Sequence, residues 1–314
     1  MGLLNTIDTT IALKLNNVVP PKKGLISILI HGLFKDKSEV HKSNADPQQS
    51  ITWADLEKII TFYQERDYEF LTQDDLTYKL KKNKKYCFLT FDDGYFNNVN
   101  ALKFLEKYNV PATFYCCTAH ITEQKNFWWD VFYREKKKTG INIQEIRRQK
   151  IPLKNLKYNE IEEILINEFG KDAFKPVDDT DRPLTENELK DFSSHPLVQI
   201  GNHTHNHIIL TNHTSEEIVT DIKMNQDILY EITGQRPTSI AYPNGNLNKS
   251  QISEIKELGL TTGFTVEKGK NYLPIKTSDE EIFSLKRYTP WHYNLNKTLA
   301  LSETDFHIKN LIKN

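Results

Sequence analysis

Apolar residues along the chain follow two rhythms that alternate. Short apolar runs read as strands buried on both faces: Leu25 to Ile30, the run that opens Tyr86 to Tyr95, "VPATFYCC" from Val110, the start of Val198 to Leu210, Ser239 to Tyr242, Leu260 to Val266 and Ile282 to Leu285. Between them apolar residues recur at helical spacing. Trp53, Leu56, Ile59, Ile60 and Tyr63 share one face within Asp46 to Arg66, a helix started by Ser50 or Thr52. Val99, Leu102, Leu105 and Tyr108 form a second such face, ended by Asn109, and Ile218, Ile222, Leu229 and Ile232 a third, stopped by Gly234. Strand, helix, strand in this order predicts parallel crossovers and an α/β fold. Residues Ile121 to Asp191 break the rhythm: they are charged, with only short apolar faces such as Ile161, Ile164, Leu165 and Phe169. They read as a mostly helical insertion laid over the mouth of the strands.

Composition narrows the picture. Of 314 residues 38% are hydrophobic and 11% aromatic, enough for a sizeable core and too much for a disordered chain. The formal net charge of −1 supplies no field to draw the chain to nucleic acid or anionic lipid. The five lysines between Lys79 and Lys85 read as a solvated helix end. Three cysteines, two of them adjacent at Cys116 and Cys117, make neither a disulfide framework nor a metal spacing. No run is long enough to span a bilayer, and the first residues lack a basic start with an unbroken apolar stretch. "MGLLNT" fits the loose myristoylation pattern, which matches often by chance. A cytoplasmic location is expected.

Two stretches carry chemistry. Asp92, Asp93 and Gly94 stand where a buried strand leaves its sheet, the place where α/β proteins put their reactive groups. Neighbouring carboxylates on extended backbone point to opposite sides, so one can bind a cation while the other moves a proton. A solvated turn explains an Asp-Asp-Gly taken alone. The second stretch, Val198 to Leu210, delivers His203, His205 and His207, with His213 beyond. His203 and His207 are four apart, which on one helical turn puts both imidazoles on one side at a spacing a divalent metal uses.

With these residues the chain resembles the polysaccharide deacetylases of the NodB-homology type, carbohydrate esterase family 4. "TFDDGY" from Thr90 to Tyr95 is similar to the first motif of that family, His203 to His207 to its His-[Ser/Thr]-x-x-His motif, and "IAYPNG" from Ile240 to Gly245 to its proline motif in the branch acting on exopolysaccharide and lipid-linked amino sugars. The resemblance runs from about Gly24 to about Trp291. It implies a distorted (β/α) barrel of parallel strands over residues 24–314 behind an N-terminal extension, 1–23, with the helical insertion at about 121–191.

The resemblance also implies a site. Asp93, His203 and His207 would hold a divalent ion, most simply Zn²⁺, with Asp92 as general base. Tyr95, Tyr242, Pro243 and Asn244 would line the substrate, a backbone N–H near Asn244 helping to hold the oxyanion. Trp128 and Trp129 would stack on a sugar or anchor the insertion. Two departures stand out. Ala241 replaces an arginine many members place two residues before the proline, and Leu285 to His292 is longer than the family's Leu-x-His element. The proton donor therefore has three candidates, His292, His31 and His205, with His292 slightly ahead of His31. The expected function is metal-dependent hydrolysis of the acetamide of an N-acetylated carbohydrate or glycolipid. The alternatives are an O-acetyl esterase or amidase with the same metal site, or a non-catalytic glycan-binding relative.

Overall fold

The computed structural model of the chain describes residues 23–47, 50–275 and 280–304. The proposed N-terminal extension and the "MGLLNT" pattern thus lie outside the described residues, apart from Lys23. Nine strands follow in chain order: β1 Gly24–Ile30, β2 Leu33–Phe34, β3 Ile51–Thr52, β4 Glu69–Phe70, β5 Lys85–Asp93, β6 Ala112–Cys116, β7 Val198–Asn202, β8 Ser239–Ala241 and β9 Thr262–Phe264. Seven make one parallel sheet in the order β1-β5-β6-β7-β8-β9, with β4 paired to the start of β5 below β6; β2 and β3 form a separate pair. Helices surround the curled sheet, and the architecture is a distorted (β/α) barrel of parallel strands.

Barrel closure departs from the expected last strand. Residues Glu280–Phe283 form a 3-10 turn, and pairing begins only where that run ends. Leu285 bridges Phe264 of β9 and Tyr288 bridges Ile28 of β1, both in parallel sense. The backbone of residues 285–288 therefore spans the gap between the sheet's two edges, with Tyr288 N–H donating to the Ser27 carbonyl at 2.7 Å and Leu29 N–H to the Tyr288 carbonyl at 2.9 Å.

Strand alternation divides the core into two clusters. On β5, Cys87, Leu89 and Phe91 pack outward with Ile26, Ile28 and Ile30 of β1 against the helix Trp53–Gln64. Tyr86 and Phe88 face the other way, toward Tyr115, Phe264 and the insertion. A period of two carries this inner face through Thr90 to Asp92, so the barrel's interior delivers one aspartate upward into its mouth. Helix ends follow local chemistry. Thr52 caps Trp53–Gln64 in a capping box with Asp55, and Asn109 and Gly234 end their helices in the left-handed conformation. Residues 46, 47, 50 and 51 are not helical, so that helix is shorter than the predicted span from Asp46 to Arg66. Between β6 and β7 the chain runs through helices Thr118–Glu123, Trp128–Lys138, Ile143–Lys150, Tyr158–Phe169 and Glu186–Ser193. No helix among the described residues is long and apolar enough to cross a membrane.

Candidate active site

Three side chains converge at the strand ends. His203 Nε2 lies 3.3 Å and His207 Nε2 3.5 Å from Asp93 Oδ1, and one ligand-capable atom of each lies within 4.8 Å of the others. Asp93 ends β5 with φ of 81°, a left-handed conformation costly for a residue with a side chain and typical of functional sites. Both its carboxylate oxygens are buried and have no hydrogen-bond partner. A buried acceptor without a donor costs about 1–3 kcal/mol, more when charged. A cation between Asp93 and the two imidazoles removes that cost, and one carboxylate with two neutral imidazoles suits zinc or a similar divalent ion. The set therefore fits a metal.

The histidines do not meet on a helical turn. After β7 the chain forms an irregular loop in which Thr204 and His207 both have positive φ, 63° and 54°. Residues outside the motif hold this shape. Asp221, on the helix Ser215–Thr233, accepts from His205 N–H at 2.6 Å, Asn206 N–H at 3.2 Å and Asn206 Nδ2 at 2.8 Å. From the same helix Asn225 Nδ2 donates to the Thr204 carbonyl at 2.8 Å. His203 Nδ1–H donates to the Ala241 carbonyl at 2.7 Å, which fixes its tautomer and turns bare Nε2 toward Asp93. Burial pulls the His203 imidazole down, but Asp92 and Asp93 together hold its pKa above the ordinary value. His207 is pushed well below it, by burial first and then by the charges of His203, His120 and His31.

Asp92 has a partner the sequence did not disclose. Arg287 grips it with two parallel bonds, Nη1 to Oδ1 and Nη2 to Oδ2, each 2.8 Å, and Nη1 also reaches Thr90 Oγ1 at 3.2 Å. Arg287 is fully buried. Burial would raise the Asp92 carboxyl; Arg287, with help from His203, holds it below the usual range, so Asp92 is a carboxylate at neutral pH. Ala241 thus leaves no gap: the guanidinium comes from the closing segment 285–288 instead. The available signal was an arginine between the apolar residues Leu285 and Tyr288.

Other predicted site residues separate into those at the site and those beneath it. His31, half-buried at the end of β1, lines a narrow hollow with Tyr95, and its charge acts on both Asp92 and His207. His292 is elsewhere. The chain turns into a 3-10 segment at His292–Asn294, where His292 Nδ1 is 2.6 Å from the Asp55 carboxylate and lines a separate surface hollow with Asp55 and Lys58. His205 Nδ1 is bonded to Thr118 Oγ1 at 2.7 Å. Trp128 and Trp129 are 4% and 6% exposed, too covered to stack on a sugar. Trp129 lies with its ring 4.5 Å from that of His207 and donates Nε1–H to the Tyr95 hydroxyl at 2.8 Å, so it ties the helical segment between β6 and β7 to the site. Tyr95 in turn donates to buried Asp130 at 2.7 Å, a carboxyl that burial and the charges of Asp181 and Asp93 push well above its ordinary range. Tyr242 and Pro243 are buried beneath the turn, while Asn244, with φ of 57°, is exposed on top of it.

Fold, site and sequence define one class. The chain belongs to the polysaccharide deacetylase family, whose model matches residues 79–263, and the family's enzymes hydrolyse carbon–nitrogen bonds other than peptide bonds. Among individual relatives, the poly-beta-1,6-N-acetyl-D-glucosamine N-deacetylase of Staphylococcus aureus is 22% identical over 264 residues, which cover 77% of this chain and 73% of that protein. The peptidoglycan-N-acetylmuramic acid deacetylase PdaC of Bacillus subtilis is 36% identical over 58 residues, 18% of this chain and 12% of that one. Two solved structures share the fold. The deacetylase PplD of Streptococcus pyogenes, in complex with acetate, superposes with a TM-score of 0.59 at 18% identity over 90% of this chain and 99% of its own. IcaB from Ammonifex degensii does so with 0.60 at 13% identity, again over 90% and 99%.

Proposed function

We propose that the chain is a metal-dependent N-deacetylase that hydrolyses the acetamide of an N-acetylated sugar to the free amine and acetate. The observation that carries this reading is the buried Asp93 carboxylate, with both oxygens unpartnered, facing two imidazole nitrogens beside a second, arginine-clamped carboxylate. Asp93, His203 and His207 would hold a divalent ion, Zn²⁺ by donor chemistry, which when bound polarises a carbonyl and lowers the pKa of water to about 7. Asp92, ionised and fixed in direction by Arg287, takes the proton from the attacking water. His31 gives a proton to the leaving nitrogen. It is preferred to His292 because its charge reaches Asp92 and His207, whereas His292 is paired with Asp55. A backbone N–H near Asn244, which is exposed on the Pro243–Gly245 turn, would help hold the oxyanion. An N-acetylglucosamine polymer is the favoured substrate class, by likeness to the staphylococcal relative.

The test is metal analysis of the purified protein together with acetate release from N-acetylglucosamine oligomers and an O-acetylated sugar. Stoichiometric divalent metal and acetate from the N-acetyl substrate are expected. Acetate from the O-acetyl sugar alone would replace the reading with an esterase.

A further inference from the structure

One side chain of the insertion reaches the site and has no part in the mechanism above. Lys154 lies in the turn Pro152–Asn155, and its Nζ donates to Asn244 Oδ1 at 2.8 Å. The turn is fastened there from two sides. Asn212, just past the histidine loop, donates Nδ2 to the carbonyls of Lys154 at 3.0 Å and Leu156 at 2.9 Å, and Lys157 pairs with Glu217 at 2.6 Å. Lys154 therefore overhangs the Pro243–Gly245 turn in a defined place, close enough for its charge to act on the His207 ring.

Its charge is also left over. Arg287 cancels Asp92, and Lys150, one helical turn earlier, is paired with Asp46. Among the described residues no carboxylate pairs with Lys154; its ammonium bonds to a neutral amide, and partial burial of that end lowers its pKa from the ordinary lysine value. Beside a site whose proposed ion is itself positive, a further cation repels what is already there and gains nothing from a neutral sugar beyond one hydrogen bond. It gains from an anion.

We propose that Lys154 recognises an anionic substituent, a carboxylate or a phosphate, on the sugar being deacetylated or on its neighbour, and that the insertion thereby sets substrate choice. This rests on the N-deacetylase reading and deepens it. The test uses three N-acetylglucosamine tetramers of equal length, one neutral, one bearing a lactyl carboxylate and one bearing a phosphate monoester. Acetate release is followed for zinc-loaded wild type, Lys154→Gln and Lys154→Arg, at low and high salt. Calorimetric binding of the same probes runs alongside. The wild type is expected to prefer a charged probe, and Lys154→Gln to lower the charged-to-neutral ratio of kcat/KM by about tenfold, the scale of one charge-assisted contact. The loss should fall in KM, arginine should restore it, and salt should erode the preference of the wild type but not of Lys154→Gln. Which charged probe is preferred identifies the carboxylate or the phosphate. Equal losses on all three probes, or no preference for either anion in the wild type, overturn the proposal. If no probe yields acetate the deacetylase reading falls, and the charged-to-neutral affinity ratio in the two proteins still decides the role of Lys154.

Discussion

At the scale of single residues, the two aspartates have environments different enough to be told apart by experiment. Among the described residues the Asp93 carboxylate faces the His203 and His207 imidazoles, so if these three hold the proposed ion, Asp93→Asn should abolish metal binding, read by elemental analysis. Asp92→Asn should keep the metal and lose roughly 10²- to 10⁴-fold in rate, the usual worth of a positioned base. A metal-free Asp92→Asn protein would reverse the two roles. Arg287 gives the sharper case. Asp92 is held below its unfolded pKa, so its contribution to stability is present at neutral pH and is lost as acid titrates it. Arg287→Gln removes the counter-charge and leaves the burial. The Asp92 pKa should then rise, the acid limb of the pH–rate profile should move to higher pH, and stability at pH 7 should fall by about 3–5 kcal/mol. An unmoved acid limb would mean that Arg287 does not act through Asp92. The two carboxylates, His203 and His207 were legible in the sequence because the carboxylates end one strand and the histidines lie just past the end of another. Arg287 was not, because its partner stands 195 residues away and no local pattern records such a distance.

At the scale of elements, the sequence spoke clearly wherever an element is fixed by its own residues. Thr52, Asn109 and Gly234 close hydrogen bonds or accept left-handed backbone within a few residues, and the helix ends they mark are where the structure has them. The histidine stretch is the opposite kind of object. A spacing of four fits a helical turn, yet the chain takes two left-handed residues there because Asp221 and Asn225, on a helix formed later in the chain, supply the hydrogen bonds a regular turn would have made internally. Asp221→Ala would leave three donors without an acceptor. It should lower metal affinity by about tenfold, at the gentle end of the range for groups that orient ligands, with the helix itself intact by circular dichroism. Unchanged affinity in a competition titration would show that the loop keeps its form without that carboxylate. Close packing makes a second demand at Gly201 on β7. A Cβ there would lie 2.3 Å from the Tyr115 ring, so Gly201→Ala should push β6 and β7 apart and lower the thermal midpoint.

For the molecule as a whole, stability depends on acid through a buried histidine. His120 is fully buried against Phe127, its Nδ1–H held by the Lys125 carbonyl at 3.0 Å, and burial pushes its pKa down to about 3. The unfolded chain takes up a proton here near pH 6.5 and the folded one does not until much lower, so stability falls as pH drops below 6.5, at roughly 1.4 kcal/mol per unit for this one group. Denaturant titrations at pH 7, 5 and 4 should show a shallower decline in His120→Asn than in the wild type; parallel declines would exonerate His120. The closing segment 285–288 has a consequence in time as well as space. On a ribosome the strands bearing Asp92, Asp93 and the histidines emerge long before Arg287 does, and the barrel has nothing with which to bridge β9 to β1 until Tyr288 is free. The clamp on Asp92 thus forms after the strands that carry the rest of the site have been made. A stalled or shortened product ending before Leu285 keeps Asp92, Asp93, His203 and His207 but has neither the guanidinium that clamps Asp92 nor the backbone that bridges β9 to β1, so its base has nothing to fix its direction.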